Sequence, residues 1–179
     1  MIKLSMISQS KHSNTAIIAI GSNMGDKMGN SRRGIAALEA PGELTLVSQS
    51  DFYLTEPVGY ADQPWFVNCA VMVKTGLVPG DLLQFLKKLE HDLGRRDCGI
   101  RNGPRVLDFD IIFYNDWVIE SQELIIPHPR MQDRGFVLKP LCDIAMDWVH
   151  PIFQKSVGRL LDEMGAHQEE CISMAALSN

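Results

Sequence analysis

The sequence predicts an α+β domain of the ferredoxin-like, split βαβ type, with a mostly antiparallel sheet and helices packed on it. Three observations predict it. An apolar run, a helical stretch and a second apolar run follow one another twice in succession. Gly and Pro punctuate the joints between these runs, and no Pro/Gly/Ser-rich linker divides the 179 residues. One chain of this length holds enough core to fold as one unit, placed here at residues 16–165.

The elements read in order. Residues 1–15 are largely polar and form a loose N-terminal tail. Ala16 to Ile20, A-I-I-A-I, is fully apolar and fits a central strand. G-S-N-M-G-D ends it: Gly21 and Gly25 supply turn conformations, and Asp26 is placed to cap a helix that runs to about Glu39 and stops at Pro41-Gly42. A strand over Leu44 to Tyr53 follows, then a loop, T-E-P-V-G-Y-A-D-Q-P, whose prolines and glycine forbid regular structure. Phe66 to Val73 alternates as a strand, with Val67, Cys69, Val71 and Val73 on one side and Phe66, Asn68, Ala70 and Met72 on the other.

After the break at Pro79-Gly80, Leu82, Phe85, Leu86, Leu89 and Leu93 recur at helical spacing up to Gly94. An arginine-rich loop leads into L-D-F-D-I-I-F-Y, a strand by its β-branched and aromatic content. A hairpin over Asn115 to Ile126 with an Asn-Asp turn comes next. R-G-F-V-L-K-P-L is a short helix, Val157 to Met164 another, and 166–179 a C-terminal tail. The order implies antiparallel pairs with helices on one face.

Composition excludes several classes. A net charge of −5 argues against a general nucleic-acid binder, since that affinity rests on cations neutralising phosphates. The positive charge is concentrated instead: Arg95, Arg96, Arg101 and Arg105 face a single acid, Asp97, in one loop, which favours a small polyanion. No segment approaches the roughly 20 apolar residues of a membrane helix, and no apolar core of a signal peptide opens the chain. Cys69, Cys98, Cys142 and Cys171 are far apart with no C-x-x-C pair, as expected of thiols in a reducing cytoplasm.

The chemistry concentrates in L-D-F-D. Alternation puts Asp108 and Asp110 on one face, about 6.6 to 6.8 Å apart, and sends Leu107, Phe109, Ile111 and Phe113 into the core. Two carboxylates on one wall suit Mg²⁺, which takes one or two of them and completes its octahedron with water and substrate phosphate. Arg95, Arg101 and Arg105 lie close in sequence, and guanidinium groups fork onto phosphate oxygens. Together they describe either a phosphoryl-transfer site or a salt-bridge network between the arginines and Asp108 and Asp110. His128 in P-H-P-R and Arg134 are equally readable as phosphate contacts or as turn residues. G-S-N-M-G-D lacks the lysine of a phosphate loop and reads as a turn.

The motifs G-P-R-V-L-D-F-D-I-I-F, A-I-I-A-I-G-S-N-M-G-D, S-D-F-Y-L-T-E-P-V-G, D-Q-P-W-F-V-N, I-P-H-P-R-M and R-G-F-V-L-K-P-L occur in this order over about Ala16 to Gly165. Together they resemble 6-hydroxymethyl-7,8-dihydropterin pyrophosphokinase of folate biosynthesis. The resemblance implies a ferredoxin-like, cytoplasmic enzyme that moves the pyrophosphoryl group of ATP onto the pterin hydroxymethyl group and releases AMP. It implies two Mg²⁺ ions on Asp108 and Asp110, with Asp110 also helping to deprotonate the hydroxyl. It implies catalytic roles for Arg95 and Arg105, ATP contacts from Glu90, Arg95, Arg105, Ile111, His128 and Arg134, and a pterin pocket of Thr55, Val58, Phe66, Asn68 and Phe136. It leaves room for association with other folate-pathway enzymes. Asn102, Asp97 and Phe66 depart from the common pattern, where an aromatic, a basic residue and a tyrosine stand. The rival class, an RNA-binding module on the same fold, needs basic residues among exposed aromatics, where this chain has carboxylates.

Overall fold

Nine residues of the first apolar run, extended to Asn14–Ser22, form strand β1, which is hydrogen-bonded on both sides and so lies inside a six-stranded sheet. The computed structural model describes residues 14–39, 42–96, 99, 103–165 and 170–176. The expectations on the N-terminal tail up to residue 13, and on Pro41, Asp97, Cys98, Arg101 and Asn102, lie outside the described residues, as do 166–169 and 177–179 of the C-terminal tail.

Helix α1 (Lys27–Glu39) begins where expected, because the Asp26 carboxylate accepts the N–H of Gly29 at 2.9 Å and satisfies one of the helix's orphan donors. Strand β2 (Leu44–Gln49) follows. The single strand expected over Leu44 to Tyr53 is broken in two, with β3 at Tyr53–Thr55. Ser50 breaks it: its N–H donates to the Ala70 carbonyl at 2.9 Å and its hydroxyl accepts the Ala70 N–H at 2.8 Å, so one residue uses both ladder positions. Strand β4 (Phe66–Thr75) pairs with β1 from Val67 to Thr75 and with β2 and β3, end to end, on its other side.

Helix α2 (Pro79–Asp92) starts at the proline itself. The pair expected to break the chain is the first turn of the helix, where proline loses no hydrogen bond and its fixed φ fits. Strand β5 (Asp108–Tyr114) closes the far edge by pairing with β1. Since β1 and β2 are both antiparallel to β4, and β4 and β5 both antiparallel to β1, helices α1 and α2 each join strands separated by a third, which is the split βαβ arrangement.

The sheet is covered on both faces, not one. Ile18, Ile20, Cys69, Val71 and Phe109 pack with Leu38, Leu82 and Leu86 of α1 and α2. Ile17, Ala70, Ile112 and Phe113 pack with α3 (Gly135–Ala145) and α4 (Val157–Met164). The cause is visible in β1, where Ile17 and Ile18 are both fully buried: a strand apolar on both faces needs a layer on each.

Phe113 lies in the second core, opposite to the face expected of it. Ile17 is paired with Phe113 and Ile18 with Ile111, so Ile112 is an extra residue, a bulge that turns the end of β5 over. The hairpin is present as β6 (Ile119–Glu120) with β7 (Ile125–Ile126), but its turn is Ser121 to Leu124, where the Ser121 hydroxyl accepts the Leu124 N–H at 3.0 Å. Asn115-Asp116 instead leads out of β5, with Asn115 at φ 47°. A last strand, β8 (Cys171–Ser173), pairs with β3 inside the segment read as a tail. No helix among the described residues is long and apolar enough to cross a membrane.

Candidate active site

Three strands set one row of the site. Asp108 of β5 pairs with Gly21 of β1, and Gly21 pairs with Asn68 of β4. Because paired residues project to the same face, the carboxylate and the amide flank a position with no side chain. Glycine is needed there, since a Cβ would stand 2.7 Å from Asn68 Oδ1. Two residues along, Asp110 pairs with Ala19, so both aspartates face one way as alternation requires. A cavity of about 400 Å³ opens over this row.

Of the residues singled out from sequence, Thr55, Val58, Phe66, Asn68, Glu90, Arg95, Arg105, Asp108, Asp110, His128, Arg134 and Phe136 all line that cavity. Ile111 does not: it is 5% exposed and its side chain packs into the α1/α2 core. It points away because it is one residue out of phase with Asp110, so any ATP contact at this position falls to its main chain. Sequence reading missed Lys87, Glu56 and Arg130, which also line the cavity. Lys87 is one helical turn before Glu90, a spacing that shares a face, and this was the available signal.

The polar groups divide into two sets. On one side Glu90, 6% exposed, takes the Phe109 N–H at 2.7 Å on one oxygen and Arg95 on the other; Arg95 also bonds Asp108, and Arg105 bonds the second Asp108 oxygen. The salt-bridge reading of the arginines thus holds for Asp108. It does not extend to Asp110, whose carboxylate has no ion pair or side-chain hydrogen bond among the described residues. Burial and the Asp108 charge push the Asp110 carboxyl up to about 6. Burial and Asp108 likewise raise Glu90 to about 7, against the Phe109 amide and Arg95, which pull it down.

His128 is held by two backbone contacts. Its N–H donates to the Ile112 carbonyl at 3.0 Å, and its Nδ1 accepts the Arg130 N–H at 3.2 Å. Accepting at Nδ1 leaves the proton on Nε2 as a donor. Burial, then Arg134 and Arg130, lower its pKa to about 4, so the ring is neutral near pH 7.

On the other side Asn68 donates to the Thr55 hydroxyl at 2.7 Å, with Phe66 beside it on the same face of β4. The Arg134 guanidinium lies 5.4 Å over the Phe136 ring. Aromatic surface, a directed amide and a fully buried hydroxyl suit a flat heteroaromatic with hydrogen-bonding edges.

The donor set limits which metal the site could hold. Among the described residues no group of three or more His, Cys, Asp or Glu side chains is placed to hold one. Two carboxylates on one wall, one of them unpaired, fit a hard cation that draws its other ligands from water and phosphate, and do not fit a closed protein cage.

Residues 17–146 match the model of the family described as 7,8-dihydro-6-hydroxymethylpterin-pyrophosphokinase (HPPK). The chain belongs to this family. It is 46% identical over 132 residues to the 2-amino-4-hydroxy-6-hydroxymethyldihydropteridine pyrophosphokinase of Bacillus subtilis, covering 74% of this chain and 78% of that one. It is 44% identical over 147 residues to the folic acid synthesis protein FOL1 of Dictyostelium discoideum, covering 82% of this chain but 22% of that protein. A Plasmodium falciparum HPPK-DHPS crystal structure with pterin and p-hydroxybenzoate superposes with a TM-score of 0.68 at 17% identity, over 88% of this chain and 45% of that chain. The fold is thus that of HPPK domains. The chain spans less than a quarter of the Dictyostelium relative and under half of the Plasmodium chain.

Proposed function

We propose that this chain transfers the pyrophosphoryl group of ATP to the hydroxymethyl group of 6-hydroxymethyl-7,8-dihydropterin, releasing AMP, with Mg²⁺ held by Asp108 and Asp110. The reading is carried by the Asp108, Gly21, Asn68 row, which sets a carboxylate and an amide on one face of the sheet, one strand apart. A pterin at Asn68 and a triphosphate at Asp108 would then share one face of the sheet. Membership of the family, and relatives named for this pyrophosphokinase, support the reaction.

The residues divide the work. Asn68 and Thr55 present amide and hydroxyl to the edge of the pterin, Phe66 and Phe136 to its faces, and Val58 closes the pocket from the loop after β3. Arg95 and Arg105 exchange Asp108 for phosphate oxygens, so charge that is paired in the resting site becomes available to the transferring group. His128 donates Nε2–H to the nucleotide as a neutral ring, and Glu90 and Arg134 complete that side. Asp110 accepts the hydroxymethyl proton at a carboxylate oxygen. Mg²⁺, expected as two ions, would neutralise triphosphate charge. The relatives that are bifunctional folate-synthesis proteins favour work beside another enzyme of that synthesis, in a compartment that keeps Cys69 and Cys142 reduced.

The test is incubation with ATP, Mg²⁺ and the hydroxymethyl dihydropterin. AMP and the pterin diphosphate are the expected products. Formation of ADP, or full activity of Asp108→Ala or Asp110→Ala, would overturn the assignment.

A further inference from the structure

The geometry points to β8, the strand near the C-terminus, as a positioning element of the pterin pocket, acting on Asn68 through Thr55. This rests on the reading that Asn68 and Thr55 hold the pterin.

The sequence gives no sign of it: C-I-S is short, and the family match ends at residue 146. Yet β3, which carries Thr55, is only three residues long and is held from both edges. On one side Thr55 is paired with Phe66 of β4; on the other it is paired with Cys171. The β8 pairing extends past the strand ends, with the Met174 N–H on the Phe52 carbonyl at 2.8 Å and the Glu56 N–H on the Glu170 carbonyl at 3.2 Å. In an antiparallel ladder that alternation makes Leu54 and Ile172 the hydrogen-bonded pair between them. Lys139 of α3 donates to the Cys171 carbonyl at 3.3 Å and ties β8 to the helix layer.

The consequence falls on one side chain. The loop after Thr55 carries Glu56, Val58 and Gly59, all at the cavity, so β3 is the last strand segment before the connection to Phe66. Thr55 is fully buried and its hydroxyl takes the Asn68 amide N–H at 2.7 Å. That bond decides which way the amide faces, and hence whether its remaining N–H and its carbonyl oxygen match a pterin edge. A three-residue strand paired on one side only would leave Thr55 free to shift, and orientation of the amide would be lost with it.

The experiment uses the full chain with Ile172→Pro, which removes the ladder N–H, beside Thr55→Val, which removes the hydroxyl, and the double variant. Each single change is expected to raise the KM for the pterin about tenfold, the scale of one misplaced hydrogen bond, with KM for ATP within about twofold. The double variant is expected to be no worse than either single one, because both act through one bond. Hydrogen exchange at the Leu54 and Glu56 amides reports whether β8 has come away. Loss of that protection in Ile172→Pro with an unchanged pterin KM would overturn the proposal, as would additive effects in the double variant. An unchanged pterin KM in both Thr55→Val and Asn68→Ala would instead overturn the pterin pocket itself. Ser173→Pro, at a position whose N–H points away from β3, is the control: it is expected to keep the normal pterin KM, and a loss equal to that of Ile172→Pro would overturn the proposal. If Ile172→Pro does not fold, Met174→Pro, which removes the ladder bond to the Phe52 carbonyl at the end of β8, is expected to raise the pterin KM in the same direction, and a normal pterin KM with Leu54 protection lost would overturn the proposal.

Discussion

Asn23 and Arg105 exchange two hydrogen bonds: the Asn23 backbone N–H donates to the Arg105 carbonyl at 3.1 Å, and the Asn23 side-chain oxygen accepts the Arg105 N–H at 2.8 Å. The same side chain donates to Gln63 Oε1 at 2.9 Å and to the Pro64 carbonyl at 3.1 Å. One residue, 1% exposed, therefore joins the turn after β1, the loop before Phe66 and the arginine that bonds Asp108. Asn23→Ala is expected to cost roughly 1–3 kcal/mol in denaturant unfolding, because buried partners lose their bonds. Asn23→Asp keeps the acceptor for Arg105 and loses both donors to the 63–64 loop. It should retain phosphate-side function and raise the pterin KM, read in steady-state kinetics for both substrates.

Arg105 bonds Asp108 through its guanidinium and the Gly103 carbonyl through Nε at 3.3 Å, which aims the fork into the cavity. An interaction made mainly as charge develops lowers kcat when removed. Arg105→Ala is expected to lower kcat by about 100-fold or more, with KM for ATP changed by about threefold or less. Arg105→Lys should recover little, because a point charge does not reproduce a planar fork. A purely KM effect in single-turnover and steady-state assays would place Arg105 in ground-state binding.

What the sequence disclosed follows from which features are local. The placing of Asp108 and Asp110 on one face needed only the two-residue period of a strand, and the structure keeps it. The same rule failed five residues on, at Phe113, because the bulge at Ile112 depends on how β1 packs and leaves no local mark. Asp26 was legible as a cap because capping is a contact within one turn. Ser50 was not, since its effect comes from Ala70, twenty residues away. Among the site residues, Glu90 of α2 comes through the resemblance, whereas Lys87, which lines the same cavity, carries no local mark of its own that separates it from an exposed helical lysine. β8 was invisible for a different reason: a three-residue strand has no periodicity to detect, and its stability comes from β3.

Gly21 separates the two walls of the site. A Cβ there would stand 2.7 Å from Asn68 Oδ1 and 3.8 Å from the Phe66 ring, so alanine forces the amide to turn. Gly21→Ala is expected to fold, since alanine is tolerated in a strand, and to raise the pterin KM about tenfold or more. ATP binding, measured by calorimetry with Mg²⁺, should be little changed.

The Asp110 carboxyl is raised to about 6 by burial and by Asp108, so in the resting protein it is largely protonated at pH 5 and largely ionised at pH 7. A cation that needs the carboxylate competes with that proton. Affinity for Mn²⁺ alone, measured by electron paramagnetic resonance without nucleotide, is therefore expected to rise with pH, about tenfold per unit below 6, and to flatten above it. Asp110→Asn should bind weakly with little slope. A slope that persists in Asp110→Asn would assign the titration to Glu90, which is raised to about 7 in the same cluster.

Gly34 tests the packing that brings α1 onto β5. It is buried on the inner face of the helix, and a Cβ would stand 2.8 Å from Leu107 Cδ2 and 3.2 Å from Phe109 Cζ. Two effects oppose each other in Gly34→Ala. Alanine stabilises a helix interior by about 1 kcal/mol over glycine. Overpacking a filled core costs about 1–3 kcal/mol, and here the two clashing residues flank Asp108. Leu107 is 1% exposed and has no room to withdraw, so the clash is expected to win and urea unfolding to show a net loss of about 1 kcal/mol. Because the displaced residues flank Asp108, kcat should fall with it, whereas Gly80→Ala, with open space around its Cβ on α2, should leave both stability and rate near normal. A stabilised Gly34→Ala protein would mean that α1 rides on the sheet with slack, and that the position of Asp108 is set from β1 alone.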